Sequence, residues 1–394
     1  NMRTKHAGLA QYDGEFVRTE GAEPMEIWLA EQMDVMMKYE ADHYKWTRPM
    51  SFTNWVPTDL LEHPAEPQEQ EDLASVNPNV IKSKEDSSLF ASYHVYPYYP
   101  DFLNLEEKYL TYKDSRGENN NYAGYLHDLR AAHDMPVLIA EFGIPASRGM
   151  THRNAFGLNQ GFISEEQQGE GLVHMYDDIL AEGMMGGLVF TWQDEWFKRT
   201  WNTMDLDDPE RRPYWSNAQT NEQQFGLLSF DRQRIKTDGN VEDWKGIKPF
   251  YKGSDDLYVT HDERYLYIRS KRLNGQMPTL YFDVHPGLGS KNAEGVTFEE
   301  NDPEFVLSFE ETQKGSLKVD AYYDTFLYQY GFDVSMLKPA PEKPVNNSGI
   351  FNPIRLALNK EITRPDTGEV LPFDYYETGV MRFGSGNPKS PDYD

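Results

Sequence analysis

One carboxylate in this chain stands where chemistry is done. Val137 to Ala140 is an almost wholly apolar run, the pattern of a parallel strand buried on both faces. It delivers Glu141 and then meets Gly143 and Pro145, which cannot continue a central strand. The C-terminal mouth of a buried parallel strand is where barrel enzymes keep their catalytic groups. Two readings of Glu141 are open: a catalytic carboxylate, or a structural one paired with a nearby arginine such as Arg148. Upstream, His94 and Tyr96 are two apart and so leave an extended segment on the same side. Downstream, Trp192 ends the run Gly186 to Thr191. A carboxylate to attack an anomeric carbon, polar partners to keep it ionised and aimed, and an indole to pack on a sugar face are what glycosidic cleavage needs. The plainer alternatives are a buried Tyr-His pair that satisfies itself and a core tryptophan.

These groups need elements to hold them. Pro24 suits the first position of a helix, and apolar residues from Met25 to about Trp46 recur at helical spacing. The segment before it, residues 1–20, carries no strand pattern. Residues 49–55 read as a strand ending in Asn54 and Trp55, and 89–95 as a strand running into Tyr96-Pro-Tyr98-Tyr-Pro100. A helix over about 122–133 precedes the Glu141 strand. A polar loop with Ser147-Arg148 and Asn159-Gln160-Gly161 follows it, then a helix over 164–182 opened by the capping pattern Ser164-Glu-Glu-Gln167. The strand at 186–192 leads into Gln193-Asp194-Glu195-Trp196. Alternation of this kind predicts βα units around a parallel sheet. Four strands are visible where a closed barrel needs eight, so the fold expected for 1–230 is α/β, a (β/α)8 TIM-barrel segment holding strands five to eight. From 231 to 394 short alternating strands at regular spacing, Phe326 to Tyr328 among them, predict an all-β sandwich with loop after Lys338, an incomplete sandwich being the alternative to a complete one.

Composition narrows the chemistry. The 394 residues exceed one ordinary core, and a net charge of −27 repels nucleic acid and anionic membranes and favours a neutral or cationic substrate. Without cysteine there are no disulfides, thiol catalysis or cysteine-bound zinc. No apolar run approaches the roughly 20 residues that span a bilayer, and no signal peptide opens the sequence. Asp205-Leu-Asp-Asp208 lacks the glycine and distal glutamate of an EF-hand and reads as a solvated loop, as does the acidic stretch 63–72. No metal or other cofactor is expected.

The order His94-x-Tyr96, Glu141-Phe-Gly143, Thr191-Trp192 resembles strands six, seven and eight of the large retaining glycoside hydrolase clan with (β/α)8 barrels. The resemblance covers roughly residues 20 to 230 and implies that Glu141 is the nucleophile, with His94 and Tyr96 beside it and Trp192 as the strand-eight tryptophan. More narrowly, Asn54-Trp55, His94 to Pro100 and Trp192 to Trp201 resemble a bacterial group in which this region is fused to a membrane-bound family-two glycosyltransferase. Residues 238 to about 332 resemble the family-nine carbohydrate-binding sandwich. These resemblances imply a neutral β-linked oligo- or polysaccharide as partner and an extracytoplasmic location, tethered to the cell membrane through other regions. Substrate contacts are expected from Trp192, Asn54, Trp55, Tyr98, Glu195 and Trp196, with a solvated loop as the alternative for the last two and Lys198-Arg199 pairing with the acids beside them. The clan's general acid is a Glu after Asn at the end of strand four. Asn221-Glu222 comes after strand eight, the wrong place, so the acid is expected upstream of Asn1, in the other half of the barrel. Two rival functions share these residues: a non-catalytic glycan-binding or export-guiding module, and a transglycosylase.

Overall fold

The computed structural model describes residues 2–84, 88–147, 149–195, 198, 200–202, 221–228, 234–236, 240–253, 256–262, 265–270, 278–311 and 314–382. Two compact units emerge. The first comprises Asn1–Trp196, Asn221–Leu228 and Ile362–Leu371, and the second comprises Phe197–Thr220, Ser229–Glu361 and Pro372–Asp394.

In the first unit, β1 (Val17–Thr19) pairs antiparallel with β3 (Ile81–Ser83) and packs on α1 (Pro24–Tyr44). The start of the chain thus contains a strand where none was expected. Asp34 of α1 explains it, because its carboxylate accepts the backbone N–H groups of Glu15, Phe16 and Val17 at 3.2, 2.7 and 3.0 Å. Those donors hold its pKa below the ordinary carboxylate range despite the cost of burial. Pro24 opens α1 as expected.

β2 (Thr53–Trp55), β4 (Ala91–His94), β5 (Val137–Phe142) and β8 (Gly186–Val189) form one four-stranded sheet in that order, every neighbour parallel. β2, β4 and β8 are shorter than their sequence patterns, whereas β5 runs on through Glu141 to Phe142. α2 (Asn121–Ala131) and α3 (Glu165–Ala181) cover one face, where Leu126, Leu129, Leu172, Met175 and Ile179 join Val137, Ile139 and Phe142 in a single core. The Ser164/Gln167 capping box closes the first turn of α3 as its sequence implied. The polar stretch after Glu141 is not all loop: β6 (Met150–His152) and β7 (Gln160–Gly161) pair antiparallel within it.

The stretch 63–72 is likewise no solvated loop. His63 is buried, its ring stacked on Phe102 with centroids 3.5 Å apart, and its Nε2 bonds Asp59, which also accepts from the Tyr125 hydroxyl at 2.6 Å. Glu66 is buried as well and takes the N–H groups of Phe102 and Gln68. Its carboxyl is pushed up to about 8, first by burial and then by the charge of Asp101. A sequence rich in Pro, Glu and Gln conceals these contacts because Asp59, Phe102 and Tyr125 lie outside the stretch.

The second unit is antiparallel. Leu280–Phe282, Phe305–Glu311, Lys314–Asp320 and Phe351–Pro353 make a sheet in that order, with Val380–Arg382 also on Lys314–Asp320. Hairpins join Tyr258–His261 to Leu266–Arg269 and Arg355–Asn359 to Asp374–Glu377. Two expectations are corrected. Residues Leu327–Asp333 are helical, not a strand, with Phe326 and Tyr330 packed on Ala357. The residues after Lys338 include strands from Phe351 to Arg382, short and interrupted by Pro and Asn, which hid them. Trp244 is buried, with the Arg269 guanidinium 5.3 Å from its ring, so it serves this unit's own core.

Candidate active site

A bulge sets the aim of Glu141. Tyr93 faces Ile139 across β4 and β5, yet His94 faces Glu141, so β5 carries one residue more than its neighbour. The β5–β8 register slips at the same place, with Ile139 opposite Gly187 and Phe142 opposite Val189. Strict alternation would put Ile139 and Glu141 on one face. The extra residue lets Ile139 and Phe142 both enter the helix-covered core and turns Glu141 to the other face, in register with His94 and, across β4, Trp55.

There, two side chains meet one oxygen. The Tyr96 hydroxyl donates to Glu141 Oε2 at 2.9 Å, and His94 Nδ1 lies 3.1 Å from the same atom. Burial, reinforced by the Glu141 charge, raises the Tyr96 phenol far above its ordinary value and keeps it a donor. Glu141 keeps about a third of its side chain open to solvent (30%), so a ligand can reach it. The backbone continues the lock: Val95 N–H donates to Glu141 O at 2.9 Å. At Gly143 a Cβ would stand 2.2 Å from Phe190 O, and no side chain fits that approach.

Aromatic rings wall one side. Trp55 neighbours Tyr99 (6.5 Å between centroids), Tyr99 meets His152 (4.9 Å), and His152 stacks on Tyr98 at 4° between planes. Tyr98 backs Tyr96 at 5.7 Å, and Tyr96 meets Phe225 edge-on at 6.0 Å. Burial pushes His152 down to about 4, so its ring is neutral near pH 7 and the wall carries no cation.

The expected contacts divide. Glu141, His94 and Tyr96 come together, and Trp55, 44% exposed, stands on their face of the sheet. Trp192 is 67% exposed just past the end of β8, so it takes no part in the core of the described residues. Asn54 points the other way: it is buried, and its amide donates to Val76 O and the Tyr93 hydroxyl. Its role is to tie β2 to the helix side, because alternation puts it opposite Trp55. Tyr98 is 3% exposed and supports Tyr96 rather than facing solvent. Glu195 is half-buried past the strand, while Trp196, Arg148, Arg199 and Asp205–Asp208 lie outside the described residues. Sequence reasoning missed Phe225, Gln160 and His152 as neighbours of the site. Only the apolar run around Phe225 after a long polar stretch could have signalled the first of them.

No group of three or more His, Asp or Glu among the described residues is arranged to hold a metal ion, and no described helix is long and apolar enough to cross a membrane. No family model, curated protein or solved structure matches this chain.

Proposed function

We propose that the first unit is the later half of a (β/α)8 barrel from a retaining glycoside hydrolase and acts on a neutral β-linked glycan. What carries the reading is the convergence of Tyr96 and His94 on a single oxygen of Glu141, at a parallel-strand mouth beside an aromatic wall. In this chemistry the Glu141 carboxylate attacks the anomeric carbon while the leaving oxygen takes a proton from a general acid. Water then releases the sugar. The Tyr96 hydroxyl holds the carboxylate aimed, with His94 beside the same oxygen. Trp55 and Trp192 offer exposed indoles to apolar sugar faces.

The open sheet supports the half-barrel. β2 and β8 are its outer strands, and Leu188, 56% exposed, lies on the Glu141 face. Parallel edges with apolar residues beside them call for further strands. On the resemblance in sequence, those strands bring the general acid, and the protein works outside the cytoplasm, tethered near a membrane glycosyltransferase whose polysaccharide it processes. The second unit is proposed as a carbohydrate-binding sandwich.

Glu141→Gln keeps the shape and removes the charge. Turnover of an aryl β-glycoside should fall about a thousandfold or more, with oligosaccharide affinity by calorimetry within about threefold of the parent. Near-normal turnover by the variant removes Glu141 as nucleophile. An intact protein, with the half of the barrel that carries the general acid, that binds a glycan at this cleft and turns over none is instead a binding module.

A further inference from the structure

Glu222 lies after β8 in sequence but is fastened to the mouth of the sheet. It sits on the one-turn helix Asn221–Gln224, whose Gln224 carbonyl accepts from Ala146 N–H at 3.0 Å and from Gln168 Nε2 at 3.2 Å. Immediately beyond, Phe225 is 1% exposed and wedges between Tyr96 and Phe190, with centroids 6.0 and 5.3 Å away. Thr191 N–H donates to Phe225 O and Leu227 N–H returns to Thr191 O, which pins the segment along the exit of β8. The side chain is held too: buried Gln160 donates its amide to Glu222 Oε1 at 2.5 Å. Gln160 is paired with His152, the residue stacked on Tyr98. Consistent with this placement, the charges of Glu141 and Glu222 both act on the phenols of Tyr96 and Tyr98.

We propose that Glu222 is a second substrate-contacting carboxylate of the Glu141 cleft, accepting a hydrogen bond from a ring hydroxyl of the bound sugar and so determining which sugar is taken. The proposal rests on the glycoside reading of Glu141. An acceptor suits the geometry better than a proton donor, because Oε1 already accepts from the Gln160 amide. A half-buried carboxylate fixed on one side by an amide also discriminates well. A sugar without the matching hydroxyl forfeits a hydrogen bond to a charged group, a larger handicap than a lost apolar contact.

The test follows the covalent step without needing a general acid. The 394-residue chain is treated with 2,4-dinitrophenyl 2-deoxy-2-fluoro-β-glycosides of gluco and galacto configuration, and with analogues lacking the 3-, 4- or 6-hydroxyl. In each case Glu141 displaces dinitrophenolate, and the growth of the fluoroglycosyl adduct is read by mass. Glu222→Gln should slow labelling by at least one complete probe about 10- to 100-fold. That slowing should vanish for the analogue missing the contacted hydroxyl. Glu222→Asp, which keeps the charge, should retain the parent's preference among the analogues and guards against an unsettled fold. Unchanged rates for every probe, or one uniform slowing irrespective of hydroxyls, overturn the proposal while leaving Glu141 in place. Absence of any adduct on Glu141 in the parent overturns the glycoside reading itself, and the role of Glu222 with it.

Discussion

The chemistry of this cleft is concentrated in one oxygen atom. With the Tyr96 O–H donating to Glu141 Oε2 and His94 Nδ1 3.1 Å from the same atom, the carboxylate is held in one orientation before any ligand arrives. Hydrogen bonds to charged groups are worth about 1.5–3 kcal/mol. Tyr96→Phe, which deletes only the hydroxyl, should therefore lower kcat/KM on an aryl β-glycoside about 10- to 100-fold and leave the far-UV circular dichroism unchanged. An unaltered kcat/KM makes the hydroxyl incidental. The types and order of these three residues were legible in the sequence, since period-two spacing and the apolar run before Glu141 predict them directly. The β5 bulge was not legible, for it is fixed by where Ile139 and Phe142 find core partners. Asn54 was misjudged for a related reason. Proximity to Trp55 in sequence means opposition in a strand.

At the scale of elements, the loops after β2 and β4 are built from buried acids that local sequence makes look solvent-bound. Glu66 shows the consequence for pH. Its folded pKa is about 8 against an ordinary value of 4.5, so between those values the folded state holds a proton that the unfolded chain has released. Stability then falls as pH rises through that window, opposite to the usual carboxylate. Melting temperature should decline from about pH 5 to about pH 8, and Glu66→Gln, which cannot ionise, should flatten the decline. An equal slope in parent and variant denies Glu66 this part. Elements with strong periodicity were readable: the helix from Pro24, the capped helix at Glu165 and all four parallel strands occur at the expected places. β1, the β6–β7 hairpin and the strands after Phe351 were not. They are two to five residues long, too short to display a period.

The molecule as a whole is an acidic chain of two compact units, one bearing an open parallel sheet with a carboxylate at its mouth and one antiparallel throughout. A charge of −27 disfavours polyanions approaching Glu141, in keeping with a neutral glycan. The return of Asn221–Leu228 to the first unit shows why sequence order misled about Glu222. Its distance along the chain from Tyr96 is cancelled by the anchoring of Phe225. The account stands on Glu141 forming a bond to sugar, and one measurement addresses that directly. After incubation with a 2,4-dinitrophenyl 2-deoxy-2-fluoro-β-glycoside, the protein is digested and the modified peptide sequenced by mass spectrometry. The account predicts one fluoroglycosyl group per chain, carried by Glu141 and absent from Glu141→Gln; an adduct on another residue, or none, would contradict it.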